Sequence, residues 1–566
     1  MNAFAEYEKW LSADTDAETK KELESMKGNE EEIRMRFGSS LAFGTAGLRG
    51  VMGAGINNMN VYTVGRATQG LAEYIISEGG GSVVIACDTR NNSKLFSCIS
   101  AEIMAGNGIK TYIFDGPRPT PELSFALRHY GCIAGINVTA SHNPKEYNGY
   151  KVYWKDGAQI GLSQADTIAA IMERTDLFTG VRKTDFDLAV KDGLITVIGN
   201  ETDEAYLSNV LAQIVDKDVI PSQSDMKIVY TPLHGAGRLL VPEALKRAGL
   251  KTVLTVPEQM IPDGNFPTVA FPNPEFPEAF NLAEKIAEAN GCDLIIATDP
   301  DSDRMGLMVR SGDGYETLTG NQTGCLLLDY VITALKKTGL PADAYAVKTI
   351  VTTELASIIC RANGVKIHDV LTGFKFIGEV IKKHEAKGEG TYLLGFEESY
   401  GYLKGTYARD KDGVVASVIA AEMAAYYRSK GMTLRQAIDS LYERYGYFKE
   451  KASSKAFPGS DGKEKMAAFM DKLRSDSPKT LGGEDVISVR DYLKGTITDC
   501  VTGEEEPTGL PSSNVLYFKT KTSVVVVRPS GTEPKVKFYY MASGENAAAA
   551  AEKTAELMSE MAILSE

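Results

Sequence analysis

Three aspartates alternate in DPDSDRMG (299–306): Asp299, Asp301 and Asp303. In an extended loop, alternate side chains fall on one side of the chain. Carboxylates held that closely repel unless a cation neutralises them, and all-oxygen ligands select Mg²⁺, Mn²⁺ or Ca²⁺. The glycine and distal glutamate offsets are wrong for an EF-hand. A solvated acidic turn is the alternative; the position after the apolar run DLIIAT favours the metal. A second stretch, RPSGTEPK (528–535), has the make-up of an anion site. Arg528 offers a fork for phosphate oxygens, Ser530 and Thr532 add hydroxyls, and Gly531 lets backbone N–H groups approach. A hairpin with a Pro-Ser-Gly turn is the plainer reading, against which Lys535 and Lys537 stand nearby.

In TASHNPKEYNGYKVY (139–153), Ser141 lies on a polar loop beside His142, with Lys151 ten residues on. As a hydrolase nucleophile Ser141 would need a base. Neighbours in an extended segment point to opposite sides, however, so a Ser141–His142 dyad is geometrically poor, and there is no GxSxG elbow. The other chemical reading makes Ser141 a phosphorylated residue facing the aspartates across the cation, with Lys151 or His142 shuttling the proton. A structural serine turn also fits this loop, though not the others. Weaker signals are Arg49 in FGTAGLRG (43–50), among three glycines, and Glu397, Glu398 and Ser399 in GFEESYGY (395–402), suited to sugar hydroxyls. Lys375 sits between aromatics in LTGFKFIG (371–378), where a snorkelling core-edge lysine is the alternative.

Elements must bring these loops to their places. Three times the chain alternates short β-rich runs with helical periodicity, the pattern of α/β layers. The first group holds SVVIACDTR, TYIFDG and GCIAGINVTASHN; the second, KIVYTPLHGAG, KTVLTV and DLIIATDPDSD; the third, VKTIVTT, VKIHDVLTGFKFIG and TYLLGFEES. Each group ends on a strand running into an unusual polar loop. Ligands of parallel α/β sheets bind beyond the carboxyl ends of strands, so three such ends predict one shared cleft. The tail, VVVVRPSGTEPKVKFYYMAS followed by an Ala-rich helix, reads as a smaller α+β domain. The spacing of Leu434, Ile438, Leu441 and Tyr445 predicts a helix stopped at Gly446.

With 566 residues, several domains are expected. Seven scattered cysteines without a CxxC read as reduced thiols of a cytoplasmic protein. The acidic, helical N-terminus is unlike a signal peptide, no stretch has the length of a membrane span, and Gly413 to Tyr427 reads as a buried helix. A net charge of −14 argues against nucleic acid and requires any anionic substrate to meet a locally basic pocket.

Taken together, TASHNP, DPDSDR, GFEES and RPSGTEPK, in that order, resemble the α-D-phosphohexomutases (phosphoglucomutase, phosphomannomutase and phosphopentomutase relatives). PRPTPE (117–122) and TGFKF also look familial. The resemblance covers nearly the whole chain and implies three similar α/β mixed-sheet domains and a C-terminal α+β domain around a central cleft. The boundaries expected are 1–204, 205–321, 322–446 and 447–566. It implies that phospho-Ser141 is the phosphoryl donor and that its phosphate oxygen completes a Mg²⁺ site with Asp299, Asp301 and Asp303. Lys151 matches a proton-transfer lysine, and Arg49 and His142 match groups beside the phosphoserine. Arg304 is expected to bind substrate and add positive charge at the serine end, or instead to salt-bridge its own aspartates. Lys375 matches a substrate-contacting lysine, and Glu397 and Ser399 match the pair that holds sugar hydroxyls. Arg528, Ser530, Gly531 and Thr532 match a distal phosphate clamp.

The implied reaction interconverts glucose 1-phosphate and glucose 6-phosphate through glucose 1,6-bisphosphate, in a monomer or weak homodimer. Phe396 before the first glutamate, and Tyr400-Gly401-Tyr402 where some relatives carry a histidine, look more like the phosphoglucomutase/phosphopentomutase subgroup. Mannose or pentose phosphates therefore stay open as substrates. A metal-dependent phosphatase and a non-catalytic sugar-phosphate sensor are the alternatives of other classes; glucose 1-phosphate with Mg²⁺ and a trace of bisphosphate would give free phosphate or no change, respectively, in place of isomerisation.

Overall fold

Runs of aliphatic and β-branched residues become the inner strands, as burial on both faces of a parallel sheet demands. The computed structural model describes residues 2–44, 47–459, 461–531 and 534–565. Its contacts divide into two units, one formed by Met1–Gly320, Gly378–Leu394 and Ser399–Thr433, the other by Asn321–Ile377, Gly395–Glu398 and Leu434–Glu566.

The first unit opens with the helix Ala3–Ser12, capped by Asn2, whose side chain accepts from the Phe4 and Ala5 amides. Its Trp10 is buried edge-on against Phe37, Tyr62 and Phe178. A six-stranded sheet follows, made of β1 (Gly47–Val51), β2 (Val83–Cys87), β3 (Thr111–Phe114), β4 (Ala134–Val138), β5 (Tyr147–Trp154) and β6 (Ile195–Ile198), in the order β1-β5-β4-β2-β3-β6. Strands β4, β2, β3 and β6 run parallel. The β5 strand turns back antiparallel to β4, and β1 pairs antiparallel on its outer side. Every residue of VVIAC (β2) and AGINV (β4) is buried. Because β5 returns beside β4, the loop 139–146 joins sequence-adjacent antiparallel strands, and it carries Ser141.

The same device recurs in the five-stranded sheet β11-β10-β9-β7-β8, where β7 is Lys227–Thr231, β8 Thr252–Thr255, β9 Leu294–Thr298, β10 Met305–Ser311 and β11 Gly314–Thr317. Here β7 lies parallel to β8 and β9. The β10 strand returns antiparallel to β9 with Met305 opposite Thr298, so the intervening turn contains all three aspartates. The helix Gly413–Ser429 is buried from Gly413 through Tyr427, as its sequence predicts. Asp412 caps it by accepting from the amides of Val414 and Val415. Its Glu422 accepts from the Val215 amide at 2.9 Å, which makes a buried carboxylate tolerable.

In the second unit, β12 (Ala344–Thr349) and β13 (Lys366–Val370) pair in parallel, with the helix Glu354–Ala362 between them in sequence. The run LTGFKFIG, expected to extend the strand, instead turns at Gly373 (φ +124°) into the helix Phe374–Lys387. A glycine in the left-handed region breaks the strand at little cost. The helix Leu434–Tyr445 buries Leu434, Ile438 and Leu441 as predicted, with Ala437 and Tyr442 beside them, and Gly446 ends it at φ +101°. The C-terminal sheet has seven strands in the order Tyr447–Ala456, Lys535–Gly544, Ser523–Pro529, Leu516–Lys519, Ser488–Asp491, Thr496–Asp499 and Glu505–Pro507. The expected Ala-rich helix spans Ala547–Leu564 and buries Ala550, Thr554, Leu557 and Met561.

Candidate active site

The turn after β4 is not extended. Ser141 has φ +52°, a conformation that costs a non-glycine residue roughly 1–3 kcal/mol and persists only where its surroundings enforce it. Ser141 is buried, and its geometry overturns the expectation of a poor Ser141–His142 dyad: Oγ lies 3.2 Å from Nδ1 of His142. Adjacent side chains diverge only in extended backbone; a left-handed residue brings them to the same side. Ser141 Oγ donates to Asp299 Oδ2 at 2.7 Å. The loop starts on Thr139, whose Oγ1 accepts from the Ser141 amide at 2.8 Å and donates to buried Asp88 at 2.6 Å.

Asp299, Asp301 and Asp303 are all buried, and one carboxylate oxygen of each lies within 4.8 Å of the others. They converge because the chain turns at Ser302 (φ +53°), not because it is extended. Lys151 Nζ lies 2.8 Å from Asp301 Oδ2 and 3.7 Å from Asp303 Oδ2. Burial pushes Asp299 well above the usual carboxylate range, with Asp301 and Asp303 adding to it. For Asp301 burial pushes the same way, but Lys151 prevails and holds the carboxyl below that range. Burial would lower the Lys151 ammonium, yet Asp301 and Asp303 outweigh it and raise it. His142 is held well below the ordinary histidine value, first by burial and then by Arg304.

The donor set fits a hard divalent cation. Asp301 Oδ1 and Asp303 Oδ1 are buried and accept no hydrogen bond. Buried acceptors left that way cost about 1–3 kcal/mol each or more, and a cation held by three carboxylates would use them.

Arg304 sits just after the trio. Its amide donates to Asp299 Oδ1 at 3.0 Å, and its guanidinium pairs with Glu275. Arg49 lies exposed on β1 opposite Gly149 of the serine-bearing hairpin, and its charge contributes to depressing His142. Two residues given no role from sequence also enter. Lys411 Nζ lies 3.1 Å from Asp303 Oδ2 and 3.1 Å from Asp410, itself held by the Tyr153 hydroxyl at 2.8 Å. Thr120 donates from Oγ1 to Asp301 Oδ2 at 2.8 Å, and its amide donates to the Asp301 carbonyl at 2.8 Å. The signals were present: ARDKDG is a charged turn before a buried helix, and Thr120 follows a proline at a helix start.

The second unit carries most of the remaining candidates. Glu397 is buried and accepts from the Gly373 amide at 3.2 Å, joining the GFEES and TGFKF loops. Thr349 donates to Glu398 at 3.4 Å. Lys375 lies one residue into its helix, with Nζ 5.2 Å from the Phe376 ring centre. Ser399 belongs to the first unit. Arg528 is half-buried near the end of its strand, opposite Lys537, and Ser530 donates its amide to the Lys535 carbonyl at 2.7 Å. Gly531 is exposed, with open space where a side chain would be. Thr532 lies outside the described residues.

The four loops occur in one chain, in one order, on sheets of this kind. The family models for phosphoglucomutase/phosphomannomutase alpha/beta/alpha domains I, II and III match residues 40–178, 204–312 and 319–445, and that for the C-terminal domain matches 484–557. The chain belongs to this family, whose members are mutases and are metal-dependent. A phosphoglucomutase of Staphylococcus saprophyticus is 38% identical over 519 residues, covering 91% of this chain and 93% of that one. One of Staphylococcus aureus is 35% identical over 535 residues, 94% of each chain. Among solved structures, the Paramecium pp63/parafusin phosphoglucomutase (open form) matches with a TM-score of 0.69 at 18% identity, over 93% of this chain and 95% of that chain. A phosphoglucomutase/phosphomannomutase family protein of Burkholderia thailandensis gives 0.66 at 19%, over 93% and 98%. Among the described residues no helix is long and apolar enough to cross a membrane.

Proposed function

We propose that this mutase interconverts glucose 1-phosphate and glucose 6-phosphate through phospho-Ser141 and glucose 1,6-bisphosphate. The carrying observation is the 2.7 Å contact of Ser141 Oγ with Asp299, inside a loop pair that also converges Asp301, Asp303 and Lys151. The free sugar hydroxyl attacks phosphorus, the bond from phosphorus to Ser141 Oγ breaks, and Oγ keeps the electron pair. The hydroxyl proton passes to His142, whose Nδ1 lies 3.2 Å from Ser141 Oγ, or to Lys151 once its ammonium has released a proton of its own. After the bisphosphate turns over, Oγ attacks the other phosphoryl group and the steps run in reverse. Such transfer asks mainly for alignment and charge neutralisation.

Asp299, Asp301, Asp303 and a phosphate oxygen on Ser141 would hold Mg²⁺, which supplies positive charge for the transferring group. Arg49, Lys151 and Lys411 add cationic side chains near the serine end, while Arg304 acts chiefly by holding Asp299 through its amide. Glu397 and Ser399 hold sugar hydroxyls, Lys375 contacts substrate, and Arg528 with Ser530, Gly531 and Thr532 grips the non-transferring phosphate. The domains divide near 204, 321 and 446, and the protein works in the cytoplasm as a monomer or weak homodimer. Pentose phosphate is the second reading, favoured by Phe396 and by Tyr400-Gly401-Tyr402 around the sugar loop.

Ser141→Ala is expected to abolish isomerisation of glucose 1-phosphate while leaving the melting temperature nearly unchanged. Substantial retained mutase activity would remove Ser141 from the donor role. Comparing kcat/KM for glucose, mannose and ribose 1-phosphates, with Mg²⁺ and the matching bisphosphate, decides the sugar: a ribose value above glucose overturns the hexose assignment.

A further inference from the structure

Arg90 lies three residues beyond the carboxyl end of β2 and is almost fully buried. A guanidinium has five N–H donors in a fixed fork. Here they make five hydrogen bonds to the serine loop and the first residue of β5. Nε and Nη2 donate to the Ser141 carbonyl at 3.2 and 2.6 Å, Nη2 also to that of Asn143, and Nη1 to those of Pro144 and Tyr147 at 2.9 and 3.1 Å. Asp88 balances its charge at 3.4 Å. The loop so gathered includes the strained residue whose Oγ faces Asp299.

A strap in the connection between β8 and β9 covers this cage. The Phe266 ring, itself buried, has its centre 5.0 Å from the Arg90 guanidinium carbon. Asn91 Nδ2 donates to Asn265 Oδ1 at 3.0 Å. Gly264 presses against Arg90 and Asn91 so closely that a Cβ would stand 2.2 Å from the Asn91 amide nitrogen. The same strap runs on to Glu275, which holds Arg304 beside the aspartates. One segment, 264–275, therefore touches both the support of the serine and the support of the metal loop.

We propose that Arg90, clamped by the Gly264–Phe266 strap, is a positioning residue that holds Ser141 in its left-handed conformation and aims Oγ at the metal loop. Arg90 touches backbone carbonyls only, so it acts through Ser141 rather than on substrate. The inference rests on Ser141 being the phosphoryl carrier.

Lysine keeps the charge of Arg90 but has a single nitrogen with three donors, which cannot serve carbonyls spread along seven residues. Arg90→Lys is expected to slow transfer of the phosphoryl group from glucose 1,6-bisphosphate to the enzyme by about a hundredfold, the usual effect of an ångström-scale misplacement. KM for glucose 1-phosphate should stay within about twofold, since no phosphate-binding group moves. Gly264→Ala, which reaches neither Ser141 nor the aspartates, should slow the same step by about tenfold through displacement of the strap. Rates are taken by rapid quench below each variant's melting temperature, with the folded fraction from circular dichroism and the labelled residue from peptide mass spectrometry. If label in the unsubstituted enzyme sits elsewhere than Ser141, the underlying function falls. If it sits on Ser141 and both variants transfer at the unsubstituted rate, or lose rate only in proportion to unfolded protein, the positioning role alone falls.

Discussion

Lys404 illustrates how one side chain couples burial to pH. Burial lowers its ammonium from the ordinary 10.5 to about 8, with nearby Glu422 opposing. Between those two values the unfolded chain holds a proton that the folded chain has lost, so this residue makes stability rise with pH across that window. Below about 8 both states are charged and the folded protein carries the full cost of burying the ammonium. Lys404→Met should therefore raise the melting temperature at pH 7, and the gain should shrink as pH approaches the ordinary lysine value. An equal gain at pH 7 and near pH 10.5 would show that Lys404 does not titrate as described. Nothing in the string LKGTY announces this; it arises from what packs around position 404. Ser141 and His142 teach the same lesson at the site. Their adjacency is plain in the sequence, but the 3.2 Å contact depends on a backbone angle that local rules assign mostly to glycine.

At the scale of elements, the serine and metal loops each join a parallel-sheet strand to an antiparallel neighbour. The apolar runs GCIAGINV and DLIIAT predict the strands that deliver them, because fully buried strands read as unbroken hydrophobic stretches. The return strands β5 and β10, and hence how tightly each loop closes, are set by pairing across the sheet. A helix start completes the metal loop. The helix Thr120–His129 places Thr120 so that its hydroxyl and amide both reach Asp301, and Asn137 donates to the same hydroxyl at 2.6 Å. Thr120→Val keeps shape and loses the hydroxyl. It should raise the Mg²⁺ concentration for half-maximal activity by about tenfold, the lower end of the effect of removing an outer-shell partner. Unchanged Mg²⁺ dependence would mean that Asp301 is oriented by Lys151 alone. The strand predicted through LTGFKFIG failed at this scale, where Gly373 takes a positive φ and the aromatic run becomes a helix.

For the molecule as a whole, a net charge of −14 must be reconciled with a doubly charged substrate. Lys151, Lys411 and Arg304 gather around the metal loop in one unit, and Arg528, Lys535 and Lys537 gather on the C-terminal sheet in the other. Arg528→Ala should raise KM for both glucose 1-phosphate and glucose 6-phosphate by about tenfold or more, as loss of a charge-assisted fork to phosphate implies. The Mg²⁺ requirement should not move. An unchanged KM for both phosphates would contradict the clamp.

The residue types and their order along the chain determined the family and the strands that run into the serine and aspartate loops, because those depend on local composition and periodicity. Tertiary structure alone decided the burial of Ser141, the turn that gathers the aspartates, and the recruitment of Thr120, Lys411 and Arg90. Each of these depends on groups distant in sequence meeting in space, and on backbone strain sustained only by contacts the fold supplies.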